Sequence, residues 1–207
     1  MWAALPYTLL ALVIVPVYWI EYGPQNFLWF SDIALFVTAW CLWTGHRLAS
    51  SMMAVGVLPL EIVWTADFLT GGALGGLAGY MFDDSYPLWL RAFSLFHLPL
   101  VAVLVWMLWR QGYDPRAVWA QTLLAWIVLP LTWWLTTPEE NINWVWGLGP
   151  DAAGFLSPQL YLLALMAAVP IAVYLPTHLI LKRLFGTVPR APARDRGPPG
   201  SDAPASG

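Results

Sequence analysis

The sequence predicts an all-α polytopic membrane helix bundle of about six transmembrane helices with a disordered C-terminal tail, and three observations carry that prediction. Hydrophobic residues make up 59% of the 207 and charged residues 10%, against about 25% charged in an average soluble domain. Mean hydropathy is +0.63, and six apolar stretches each approach the roughly 20 residues that cross a hydrocarbon core. Eight of the 15 tryptophans lie near the ends of these stretches, where amphipathic rings sit at a membrane interface.

The first span, about 3–20, starts without the basic n-region of a signal peptide. Tyr18-Trp19-Ile20-Glu21 after it is no small-residue cleavage site, so the helix is expected to stay. The second, about 27–44, carries Ser31, Asp32 and the single cysteine, Cys41, which therefore has no internal disulfide partner. The third, about 50–70, carries Glu61, Thr65 and Asp67. Residues 71–82 hold glycines at 71, 72, 75, 76 and 79; the segment is too short to span and is expected to form an interfacial or re-entrant loop buried by protein. The fourth span, about 88–109, contains Ser94-Leu95-Phe96-His97-Leu98-Pro99, and the last two cover about 116–137 and 159–181. Residues 187–207, rich in Pro, Ala and Arg, lack an apolar pattern and are expected to be disordered. The organisation is thus one helical domain, 1–186, and a tail.

Arg47, Arg110, Arg116, Lys182, Arg183, Arg190, Arg194 and Arg196 fall on the side that holds both termini, with Arg91 alone on the other. The bias of basic residues predicts that both termini are cytoplasmic. Glu21, Asp83, Asp84, Glu139, Glu140 and Asp151 then make the outer mouth acidic. Trp19, Trp89, Trp144 and Trp146 at outer ends, and Trp43, Trp106, Trp109 and Trp119 at inner ends, fit the two belts. No phosphate loop, metal-ligand spacing or basic stripe is present, so no cofactor, no metal and no nucleic-acid partner is expected; membrane lipids are the expected partners.

The ionisable residues within the spans carry the functional reading. Glu61 and His97 each lie nine residues from the outer ends of their helices, roughly 13 Å deep at 1.5 Å per residue. An ionised carboxylate near a helix centre costs about 2.5–3.5 kcal/mol on insertion scales, so such groups should face one another and not lipid. Ser31 and Asp67 come out roughly 6 and 5 Å below the outer ends of their helices by the same rise, with Asp32 following Ser31. Glu61, Trp64, Thr65 and Asp67 share a face of helix 3 at spacings of three and four. Asn141 and Asn143 join from the loop between helices 5 and 6. Arg91 is expected to pair with Asp32 or Asp67. Each residue has a structural alternative: His97 as a packed histidine bonded to Glu61 or a carbonyl, and Ser31 bonded back to the Phe27 carbonyl.

Several short elements resemble the YwaF-like bacterial integral membrane family and the related eukaryotic ether-lipid transacylase. Trp29-Phe30-Ser31-Asp32 resembles the family's His-Leu-Cys-Asp, with serine in place of cysteine and Trp29 in place of histidine. Glu61-Ile62-Val63-Trp64-Thr65-Ala66-Asp67 is similar to its Gln-x-x-x-Thr-Pro-Asp. Phe96-His97 followed by Gly112-Tyr113-Asp114-Pro115 resembles its Ser-His and Gly-Tyr-x-Pro, and Asn143-Trp144 its Asn-Tyr. The resemblance spans about residues 25–150 and implies an intramembrane acyl-transfer site with Ser31 as nucleophile and His97 as its histidine.

In that site His97 acts as the base of Ser31, and Glu61, or else Asp67 or Asp32, orients the imidazole. Asn141, Asn143 or the Trp29 indole N–H then supplies the oxyanion donors. Thr65 supports the site. The leading expectation is a lipid acyltransferase or hydrolase opening to the outer leaflet. The alternatives are a non-catalytic lipid- or partner-binding protein of the same fold, a proton-coupled transporter using Glu61, Asp67 and His97, and a haem protein using His46 and His178.

Overall fold

The computed structural model describes residues 3–148 and 156–186; the tail 187–207, Asp151 and the rest of 149–155 lie outside the described residues. Eight α-helices among these residues make six hydrophobic crossings. They are α1 (Ala4–Tyr22), α2 (Phe30–Thr44), α3 (Arg47–Leu69), α4 (Leu88–Phe93), α5 (His97–Gln111), α6 (Ala117–Leu135), α7 (Pro158–Val169) and α8 (Leu175–Phe185). A 3-10 turn, Ser94–Phe96, joins α4 to α5, and a π-helical turn, Pro170–Tyr174, joins α7 to α8, so each pair makes one span. Five spans are long and apolar enough to cross a membrane. The 15 residues of α2 reach only about 22 Å, so it is the short apolar helix among the six.

Short connections force neighbouring helices antiparallel. Between α2 and α3 only two residues turn the chain. Gly45, in the left-handed region at φ +66°, donates its N–H to the Cys41 carbonyl at 2.8 Å, an ending that a Cβ would oppose. The Nδ1 of His46 then accepts the Ala49 N–H at 3.2 Å and caps α3.

Helix α3 is the centre of the bundle, with α2, α5 and α6 packed around it and α1 resting on α2. Gly56 lets α3 and α6 approach, because a Cβ there would collide with the Gln121 amide. Outward-facing Leu5, Leu9 and Leu12 of α1, with Trp19, Trp43, Trp89, Trp109 and Trp119 at helix ends, form an exposed apolar surface suited to lipid. Trp144 and Trp146, expected in the outer belt, are instead half-buried. Trp146 stacks on Trp133 at 5.2 Å and Trp144 lies edge-on to Trp29 at 6.1 Å, because their loop folds back over the helix ends.

At the basic end, residues 112–116, between α5 and α6, are tied to α3 and α8. Arg47 donates to the Tyr113 carbonyl at 2.7 Å, the Tyr113 N–H to the Phe185 carbonyl at 2.9 Å, and the Asp114 N–H to Ser51 Oγ at 2.9 Å. The Arg116 guanidinium beside Asp114 holds that carboxyl below the usual carboxylate range.

Pro170 has no N–H, so the Met166 carbonyl one turn earlier loses its helical donor, and in hydrocarbon an unpaired carbonyl is costly. The Trp126 indole on α6 donates to it at 2.9 Å. This bond fastens the α7–α8 span, which is the least buried of the crossings. Trp126→Phe should therefore destabilise the bundle by about 1 kcal/mol, read as a lowered midpoint of thermal unfolding in nanodiscs, whereas Trp119→Phe, at an exposed helix end, should leave the midpoint unchanged.

Candidate functional site

His97 opens α5 directly after the 3-10 turn and two residues before Pro99. Its Nδ1 lies 2.6 Å from Glu61 Oε2 on α3; with the carboxylate accepting, Nδ1 carries the proton and Nε2 is left for other chemistry. Glu61 is 4% exposed and the His97 side chain 13%. Trp64, one turn beyond Glu61 on the same face, stacks on the imidazole at 4.3 Å between centroids, and Phe96 stacks at 4.2 Å. Two rings and one carboxylate thus hold both the plane and the tautomer of His97.

The entry of α2 supplies the second polar group. Trp29 is extended, with ψ 133°, so α2 begins only at Phe30. The orphan Phe30 N–H is satisfied from across the bundle by Asn143 Oδ1 at 3.1 Å, while Asn143 Nδ2 donates to the Leu28 carbonyl at 2.7 Å. Asn143 makes this clamp with φ +54°, a backbone region that asparagine enters more readily than most residues. Asp32, in the first turn of α2, is 2% exposed; Asn26 Nδ2 donates to its Oδ2 at 3.2 Å, and Oδ1 has no partner among the described residues. The helix N-terminus favours negative charge at that position. Beside it, Ser31 is half-buried. Among the described residues its hydroxyl bonds neither the Phe27 carbonyl nor His97, since the break at Trp29 interrupts the helix that a back-bond would need.

A cavity of about 620 Å³ brings these groups together. Ser31, Asp32, Glu61, His97, Asn26 and Asn143 line its polar part, with Trp29, Tyr18, Tyr80 and Trp144 as aromatic walls. Val57, Leu129, Leu165, Val169 and Val173 form an apolar lobe between α3, α6, α7 and the π-helical turn. Sequence reasoning missed Asn26, Tyr18, Tyr80 and the lobe. Tyr18 Oη lies 3.3 Å from Ser94 Oγ; Ser94, three residues before His97, was the one readable signal for that wall.

Three anticipated residues stand outside the cavity lining: Asp67, Thr65 and Asn141. Asp67 Oδ1 accepts the N–H groups of Leu74, Gly75 and Gly76 at 2.9, 3.0 and 3.3 Å, and Oδ2 accepts Ala78 N–H at 2.7 Å. The glycine-rich segment therefore wraps a carboxylate, with Gly71, Gly72 and Gly76 at positive φ making the turns, and Leu77 and Tyr80 become cavity wall. Thr65 Oγ1 has no partner among the described residues. The Asn141 amide is used within its own loop, accepting Trp146 N–H at 2.9 Å and donating to the Gly147 carbonyl at 2.9 Å. Arg91 pairs with neither Asp32 nor Asp67; it donates to the Met81 carbonyl at 2.9 Å and meets Asp84 at 3.3 Å, because its helix end faces the loop after the glycines. His46 caps α3, and His178 Nδ1 is 2.8 Å from Tyr113 Oη.

Among the described residues no three His, Cys, Asp or Glu side chains are grouped to hold a metal ion. Comparison with protein-family models, curated proteins and solved structures returned no match.

Since Asp67 satisfies four backbone donors, removing it strands them. Asp67→Ala should cost about 1–3 kcal/mol and raise amide hydrogen exchange at residues 74–78, with Asp67→Asn intermediate because one acceptor remains. Unchanged exchange in the alanine variant would contradict the assigned bonds.

Proposed function

We propose that this protein is an intramembrane lipid acyltransferase or hydrolase in which His97 is the general base, Glu61 its positioning residue and Ser31 the nucleophile. The observation that carries the reading is a carboxylate-held imidazole and an unengaged serine hydroxyl lining one cavity that is polar at one part and apolar at another. The motif resemblance to the YwaF-like family and the ether-lipid transacylase points the same way. With both termini in the cytoplasm of a bacterial inner membrane, the site opens to the outer leaflet, and membrane lipids are its substrates.

The chemistry balances with the residues present. His97 Nε2 takes the Ser31 proton as Oγ bonds to the acyl carbonyl carbon, and the imidazolium formed is stabilised by Glu61. The ester C–O bond breaks, and His97 returns the proton to the leaving alcohol. Water or a lipid hydroxyl then gives its proton to Nε2 and attacks the acyl-serine; the acyl C–Oγ bond breaks, Nε2 returns the proton to Oγ, and a fatty acid or a new ester leaves with Ser31 restored. The Trp29 indole is the suited oxyanion donor, because the Asn141 and Asn143 amides are committed to backbone partners. The apolar lobe matches an acyl chain.

A second reading, a non-catalytic lipid-binding protein of the same fold, is favoured by one feature: Ser31 and His97 are not hydrogen-bonded to each other. A proton-coupled transporter is disfavoured, since the cavity leads from His97 into Leu129, Val169 and Val173 and not toward a second polar mouth.

Labelling of the purified protein in nanodiscs by a fluorophosphonate probe separates the first two. Wild type should label, Ser31→Ala should not, and His97→Ala should label at least about 100-fold more slowly. Equal labelling of Ser31→Ala would exclude Ser31, and an unlabelled, folded wild type would favour the lipid-binding reading.

A further inference from the structure

The ionisable lining of the cavity is one-sided. Asp32, Glu61 and His97 are there with tyrosines, and no lysine or arginine is among the lining residues. Glu61 is taken up by His97. Asp32 is buried, receives one amide N–H on Oδ2, and has an unpartnered Oδ1. A buried carboxylate without a partner is costly, and the lining offers no lysine or arginine to a phosphate or a carboxylate. Tyr18, Tyr22, Trp29, Tyr80 and Trp144 surround the same space, and aromatic faces attract ammonium groups most strongly when both are desolvated.

We infer that the cavity takes a single-chain amphiphile with an ammonium head group, the cation set against Asp32 and the aromatic walls and the chain in the lobe of Val57, Leu129, Leu165, Val169 and Val173. The inference deepens the proposed function, because it rests on the reading that this cavity receives a lipid, but it does not require that Ser31 react. The volume suits such a ligand: at about 30 Å³ per water-sized group, 620 Å³ accommodates roughly 20 such groups, matching one acyl chain and a compact head. Asn26 then has a role beyond packing, since its amide orients the Asp32 carboxylate from the opposite oxygen.

The experiment compares C16 chains bearing trimethylammonium, hydroxyl or sulfate, and tetramethylammonium without a chain, by tryptophan-fluorescence titration of the protein in nanodiscs of fixed composition. The C16 ammonium should bind wild type about 10- to 30-fold more tightly than the C16 alcohol, with the sulfate weakest. Asp32→Asn should shrink the ammonium advantage to within about twofold while the alcohol binds as before, which also reports that the variant is folded. Ser31→Ala should keep the full preference, so loss of turnover and loss of head-group selection are read separately. A sulfate or alcohol that matches the ammonium on wild type overturns the proposal without reference to any variant. Tetramethylammonium matching the C16 ammonium would overturn the assignment of the lobe to a chain, and an undiminished preference in Asp32→Asn would overturn the role of Asp32.

Discussion

The bond between His97 and Glu61 is the constraint around which the bundle is arranged. Each group placed singly at that depth would face hydrocarbon or force water inward. Joined at 2.6 Å, they satisfy one another and fix the register of α5 against α3. The neighbours of the pair follow from that register. Trp64 is one turn from Glu61 and so reaches the imidazole face, and the 3-10 turn Ser94–Phe96 tightens the chain so that His97 points across to α3 while Ser94 meets Tyr18. Because α3 lies at the centre of the bundle, every element that contributes to the cavity is placed relative to this bond.

The remaining polar residues divide into two kinds of work. Asn143, Asp67 and Asn141 spend their hydrogen-bonding capacity on backbone: the first clamps the entry of α2, the second gathers the glycine-rich loop, and the third closes its own turn. In a low-dielectric setting an unpaired backbone group is costly, so these side chains hold walls in position. Ser31, Asp32 and His97 retain an unused atom beside the cavity. That contrast, more than acidity or depth, separates scaffold from candidate chemistry.

Much of the fold was legible because composition and span length alone define membrane helices. The meeting of Glu61 with His97 was legible too, since counting nine residues from each outer end puts two groups at one level. The fate of Asp67 was not, because its partners lie seven to eleven residues onward in a non-periodic loop whose turns depend on glycines at positive φ. Asn143 was assigned to the site by position, yet its clamp on Leu28 and Phe30 spans more than a hundred residues and has no local signature. The apolar lobe includes Val173 of the π-helical turn after Pro170, and hydropathy does not reveal that turn. Arg91 was drawn toward Asp32 or Asp67 by charge alone, whereas the end of its own helix sets it beside Asp84.

The central claim is that Glu61 holds the imidazole of His97 through Nδ1 and leaves Nε2 to act in the cavity. Solid-state ¹⁵N NMR of histidine-labelled protein in bilayers tests it directly, with His97 assigned among the three histidines by comparison with His97→Gln. The account predicts a proton on Nδ1 in a short hydrogen bond, with Nε2 free of that bond, and loss of the short-bond signature in Glu61→Ala. A His97 protonated on Nε2 alone, or a spectrum unchanged by Glu61→Ala, would contradict it.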